Sequence, residues 1–159
     1  MKIDIICVGK IKEKYFTMAI DEYQKRLSRY VKLNIIEVAD EPTVENASEA
    51  TDEIIRKKEG ERIIKNIKSD TFVVTLQING QMLDSLELSK KIEDIGVKGY
   101  GSITFIIGGS IGLSKDVLKL SNYALSFSKM TFPHQLMRVV LLEQIYRSMR
   151  ISNNEPYHK

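Results

Sequence analysis

The period of the hydrophobic pattern switches back and forth along this chain, and that alternation constrains its fold more than any single motif. Lys2 to Val8, Leu33 to Val38, Thr71 to Gln77, Ser102 to Ile107 and Tyr123 to Phe127 are short runs rich in Ile, Val, Thr and Phe, which read as five strands. Between them the apolar residues recur at helical spacing: Phe16, Ala19, Ile20, Tyr23 and Leu27 mark one face, and Leu88, Ile92 and Ile95 another. Such a βαβα order predicts an α/β fold with a mainly parallel sheet and helices on both faces, because parallel strands need crossovers and the crossovers pack on the sheet. At 159 residues the chain fits one domain, residues 1–159, so recognition and chemistry must share one core.

Local signals mark the helix ends. Asp84 with Glu87 three residues on can cap reciprocally, Gly96 suits the left-handed position past that helix, and Ser114 with Asp116 opens the helix after the glycines. Asp40 to Asp52 reads as an exposed loop. The helix near Glu49 to Lys68 mixes Arg56, Lys57, Lys58, Arg62, Lys65 and Lys68 with acids, and reads as a solvated face. Gly60 inside it predicts a break or a close backbone approach. The last helix, His134 to Ser152, is apolar around most of its circumference, which places it at the centre of the domain or in a subunit interface.

Composition narrows the function. A single Cys7 within a strand pattern and histidines only at 134 and 158 leave no disulfide and no zinc spacing, so no metal is expected. No apolar run approaches the roughly 20 residues of a membrane span, and no secretory signal is present, which makes the cytoplasm the default and a membrane partner unexpected. A net charge of +3 is weaker than the footprint of an independent DNA-binding domain, and no DNA partner is expected.

The chemistry concentrates in the last third. Ile103 to Ile107 runs into Gly108-Gly109-Ser110-Ile111-Gly112, bringing bare backbone to the carboxyl end of a strand, where open α/β sheets bind small ligands. If the third, fourth and fifth strands are neighbours, Leu76, Gly108 and the loop after Tyr123 to Phe127 share a pocket. A tight turn alone would also account for the glycines. The loop fits Gly-x-Ser-x-Gly, so a serine hydrolase using Ser110 is one alternative. It is neither a Walker A motif nor Gly-x-Gly-x-x-Gly. His134 and Arg138 lie four apart and share a helix face, a pairing suited to anion or base recognition, with Arg138 keeping His134 neutral. The chain closes on Pro156-Tyr157-His158-Lys159, a polar, titratable tail.

The glycine loop, the run Leu-Ser-Phe-Ser-Lys-Met-Thr-Phe-Pro-His-Gln-Leu-Met-Arg-Val-Val-Leu-Leu-Glu-Gln-Ile-Tyr-Arg and the Pro-Tyr-His tail resemble the ribosomal RNA large subunit methyltransferase H family of the SPOUT, or α/β-knot, superfamily. The likeness runs from Ile5-Ile6-Cys7-Val8-Gly9-Lys10 to the C-terminus, with a departure at Gln81, where the family has Lys. The resemblance implies S-adenosylmethionine-dependent methylation of a pseudouridine at ring nitrogen 3 in large-subunit (23S) ribosomal RNA of assembled ribosomes. It also implies a homodimer with a C-terminal trefoil knot, a feature outside the usual rules of chain connection. Carried over by position, the cofactor contacts would be Leu76, Gly108, Phe127, Ser128, Lys129, Met130, Thr131 and Phe132, and His134, Arg138, Tyr157 and His158 would face the RNA, with His158 or Tyr157 as base. A non-catalytic, ribosome-associated RNA-binding module is the other alternative.

Overall fold

The computed structural model describes residues 1–159. Five strands, β1 (Lys2–Val8), β2 (Lys32–Val38), β3 (Thr71–Met82), β4 (Ser102–Ile107) and β5 (Tyr123–Ser126), form one sheet in the order β2-β1-β4-β3-β5. Every pairing is parallel. The helices are α1 (Lys14–Leu27), α2 (Glu49–Ile64), α3 (Ser85–Val97), α4 (Lys115–Leu120) and α5 (His134–Ser152).

Side chains alternate across the pleat, so each central strand feeds two cores. Ile3, Ile5, Cys7, Ile103, Phe105 and Ile107 point to one face and are buried by α1, α3 and α5 through Ile20, Leu27, Leu88, Ile92, Ile95, Leu141, Leu142 and Ile145. Ile6, Val8, Val38, Val73 and Ile106 point to the other and meet Ile63 of α2 and Val117 of α4. Both faces are therefore covered, as the near-continuous apolar runs of β1 and β4 require.

Several boundaries differ from the sequence reading. β3 continues past Gln77 to Met82, because the chain swings out after Leu76 and returns: Leu76 and Gln81 both pair with Leu125. Gly80 makes the return possible, since a Cβ there would lie 2.8 Å from the Ala124 carbonyl. β5 ends at Ser126, leaving Phe127 in the following loop, and α2 stops at Ile64 rather than Lys68. Ser48 caps α2 by accepting from the Thr51 N–H, so the loop read as Asp40 to Asp52 is shorter than expected. Gly96 lies inside α3, and the left-handed residue beyond the helix is Gly99, with φ +96°. The reciprocal cap of Asp84 and Glu87 is present, with both bonds at 2.7 Å.

Gly60 marks a close approach rather than a break. A Cβ there would lie 2.3 Å from Ser114 Oγ, so α2 rests directly on the residue that caps α4. That contact presses α2 against the loop that follows β4. Along α5, no residue from His134 to Ile151 is fully exposed. Met137, Leu141, Leu142, Ile145 and Met149 enter the core, while Val139, Val140 and Tyr146 remain half-covered on its flank.

Candidate active site

The order β4-β3-β5 places three strand ends side by side, and their loops enclose a cavity of about 490 Å³. Leu76 and the Gln77–Asn79 swing form one wall, the Gly108–Leu113 loop a second, and Phe127, Ser128, Met130, Thr131 and Phe132 a third, with His134 and Met137 closing the site from α5. Lys129 belongs to the same loop but does not line the cavity. The third wall is shaped by Ser126, whose buried hydroxyl lies 2.8 Å from the Ile78 carbonyl and 3.1 Å from that of Ser128. The Ser128 hydroxyl in turn accepts from the Met130 N–H at 3.0 Å.

The glycine loop is a tight turn whose backbone faces the cavity. Gly112 has φ +86° and donates its N–H to the Gly109 carbonyl at 3.2 Å. A Cβ on Gly108 would lie 2.9 Å from Leu113 Cδ2 and 3.2 Å from the Gly112 carbonyl carbon. Gly108 is thus demanded by the turn itself, while its main chain lines the cavity. From α2, Arg56 donates to the Ile111 carbonyl at 3.2 Å and pairs with Glu49 and Glu53. The Ser110 hydroxyl is hydrogen-bonded to no histidine or acid, and α4 starts only after the Ser114 cap. A nucleophile elbow leads straight from strand through nucleophile into helix, so the hydrolase reading fails on geometry.

His134 lines the cavity as the first residue of α5. Burial, followed by the Arg138 guanidinium, holds its imidazole below the usual range, so it is neutral at physiological pH, as expected from the spacing. Arg138 is placed differently from the sequence expectation. It is 1% exposed and donates to Glu37 Oε2 and to the Gly9 carbonyl, both at 2.6 Å. It ties α5 to the ends of β1 and β2, with both terminal nitrogens turned inward. Burial works against the Glu37 carboxylate, but the bonds from Arg138 and from the Ile11 N–H hold its pKa below the ordinary value.

Tyr157 and His158 do not line their own chain's cavity. Tyr157 packs edge-on against Tyr146 at 4.9 Å and donates to Glu143 Oε1 at 3.2 Å. His158 Nδ1 lies 3.3 Å from Arg147 Nη1. Glu143 is nine positions beyond His134, about 13 Å along the helix. Burial, then the Glu143 carboxylate, pushes the Tyr157 hydroxyl up to about 12, so it is a donor and not a phenolate in this setting. Sequence reasoning missed Glu37 and Glu59. Glu59 had a local signal in its place beside Gly60, whereas Glu37 looked like any solvent-facing strand residue.

A parallel sheet covered on both faces, with a ligand-sized cavity walled by backbone and apolar side chains at its carboxyl edge, defines an α/β protein built to hold a small ligand there. Residues 1–158 match the family model described as "Predicted SPOUT methyltransferase", and the chain belongs to that family. It is 60% identical over the full length of both chains to the Ribosomal RNA large subunit methyltransferase H of Clostridium novyi. The protein of that name from Clostridium botulinum is 63% identical, again over all of both chains. The Putative ribosomal RNA large subunit methyltransferase H of Methanococcus maripaludis is 62% identical over all of both chains. A solved structure of a probable methylase family protein from Haemophilus influenzae shares the fold, with a TM-score of 0.50 and 14% identity over 96% of this chain and 66% of that one.

Proposed function

We propose that this protein transfers a methyl group from S-adenosylmethionine to ring nitrogen 3 of a pseudouridine in large-subunit ribosomal RNA, acting on assembled ribosomes in the cytoplasm as a homodimer with a knotted C-terminal segment. The observation that carries the reading is the cavity at the ends of β3, β4 and β5, together with the names of the full-length relatives. About 490 Å³ lies within the range of small-molecule sites, roughly 300–1,000 Å³. Its walls suit an adenosine: Leu76, Leu125 and Phe127 offer apolar faces, and the loops offer main-chain groups in place of a phosphate-binding lysine.

S-adenosylmethionine, when bound, supplies an activated methyl on a sulfonium and needs no metal. The chain's residues then have three tasks. The loop from Phe127 to Phe132, including Lys129 on its outer side, encloses the cofactor, and Leu76 and the Gly108 backbone hold its other flank. Neutral His134, at the rim, can hydrogen-bond the target base or accept the proton that ring nitrogen 3 must lose. Tyr157 and His158, held on the flank of α5 away from their own cavity, are assigned to the partner subunit's site, across an interface that covers the half-buried flank of α5.

Calorimetric titration with S-adenosylmethionine tests the cofactor. Saturable binding supports the reading, whereas a ribosome-associated protein that binds no cofactor would be the non-catalytic module instead. Fluorophosphonate labelling of Ser110 is expected to be absent.

A further inference from the structure

We propose that Glu59 is the counter-ion of the cofactor's sulfonium, a buried carboxylate behind the glycine loop that makes the pocket favour the cationic methyl donor over its neutral thioether product. The inference rests on the S-adenosylmethionine reading above. Glu59 is 4% exposed, yet only Oε2 has a partner, the Glu41 N–H at 3.0 Å; Oε1 has none. A buried carboxylate oxygen without a donor is costly, and such groups persist where a function uses their charge. Oε1 lies 3.2 Å from where a Gly109 Cβ would stand, so bare backbone is all that the loop puts against it. Gly109, Ser110 and His134 line both the main cavity and a second one of about 270 Å³ that Glu59 and Asp40 help to line.

The main cavity itself holds no free anion, Glu59 lining only the smaller one. Its one carboxylate, Glu49, is paired with Arg56, so that wall is close to neutral. When the methyl leaves, the carbon–sulfur bond breaks with its electron pair staying on sulfur, ring nitrogen 3 gains the methyl and loses its proton, and the cofactor falls by one positive charge. A fixed anion nearby therefore stabilises the donor and not the product. Because Gly60 rests against Ser114, the residue that caps α4, the backbone that carries Glu59 is held behind the loop. Across a loop of backbone, at an effective dielectric constant of about 20, one such charge changes affinity on the order of tenfold.

Calorimetry of the intact protein with S-adenosylmethionine and with S-adenosylhomocysteine gives the test. Glu59→Gln is expected to lower affinity for the first by on the order of tenfold and to leave the second nearly unchanged. Equal effects on both ligands, or on neither, would overturn the inference. A wild-type protein that binds neither ligand would instead overturn the cofactor reading on which it rests.

The wild-type protein supplies an independent check should the variant fold poorly. Burial, with Asp40 and Glu41 adding to it and the Glu41 N–H and Arg62 opposing it, holds the Glu59 pKa above the ordinary carboxyl value. The ratio of the two affinities should therefore fall as the pH drops through that raised value. His134 also faces the smaller cavity and gains positive charge on acidification, so the series is repeated in His134→Gln. A ratio independent of pH in the His134→Gln protein would contradict the assignment, whatever the wild type shows.

Discussion

Arg138, in the second turn of α5, donates to Glu37 at the end of β2 at 2.6 Å, across a separation of 101 residues in the chain. Its other terminal nitrogen donates to the Gly9 carbonyl just past β1. This buried guanidinium fixes where α5 begins, and with it the position of His134. Arg138→Gln is expected to destabilise the protein by about 1–3 kcal/mol, less than for a fully buried pair because Glu37 is partly exposed. Urea denaturation gives the number.

The pH dependence of that difference has a definite sign. The folded-state pKa of Glu37 is depressed, so the stability it contributes is present above the unfolded-state value of about 4.3 and is lost as pH falls through the lower folded value. The stability difference between wild type and Arg138→Gln should therefore shrink as pH falls through the depressed folded-state value, leaving only what the bond to the Gly9 carbonyl contributes. Parallel curves down to pH 2 would show that the pair does not stabilise the fold.

Gly60→Ala should cost about 1–3 kcal/mol, since its methyl would sit 2.3 Å from Ser114 Oγ. Adding Ser114→Ala removes that oxygen but leaves Ser114 Cβ at 3.1 Å and uncaps α4. The double variant should therefore recover part of the loss and not all of it. Full additivity of the two single effects would mean that the contact is relieved by backbone movement.

At Gly108 a substitution acts through the turn. The valine of Gly108→Val would push on Leu113, 2.9 Å from its first added carbon, and cofactor affinity should fall because the loop shifts. Leu113→Ala in the same chain should restore part of that affinity. No restoration would leave the Gly112 backbone, 3.2 Å from that first added carbon, or the ligand itself as the obstacle.

Much of this was legible in the chain. The switching period located all five strands and both covered faces, because burial on two sides leaves runs such as Ile103 to Ile107 with no polar gap. The cavity followed from glycines after β4 and the aromatic loop after β5. What escaped depended on distance in sequence. That Arg138 turns inward is decided by Glu37 and Gly9, far upstream, and a four-residue spacing with His134 cannot reveal which way a guanidinium points. The swing after Leu76 reads locally as a turn, since the register that rejoins Gln81 to β5 is set by tertiary pairing.

Removal of Tyr157 to Lys159 should leave folding and cofactor affinity nearly unchanged, since none of these residues lines its own chain's cavity, while severely lowering methyl transfer. Mixing this truncation with a Gly108→Val protomer should restore part of the activity, because one of the two sites in a mixed dimer then has both an intact pocket and an intact tail. Mixed dimers without recovered activity would place each tail with its own pocket.

The central claim is methyl transfer from S-adenosylmethionine to pseudouridine. Assembled ribosomes from cells without this enzyme, incubated with the purified protein and trideuteromethyl-labelled cofactor, should yield large-subunit RNA in which mass spectrometry finds one labelled methyl on ring nitrogen 3 of a pseudouridine. Label on another base, or none in the presence of bound cofactor, would contradict the account.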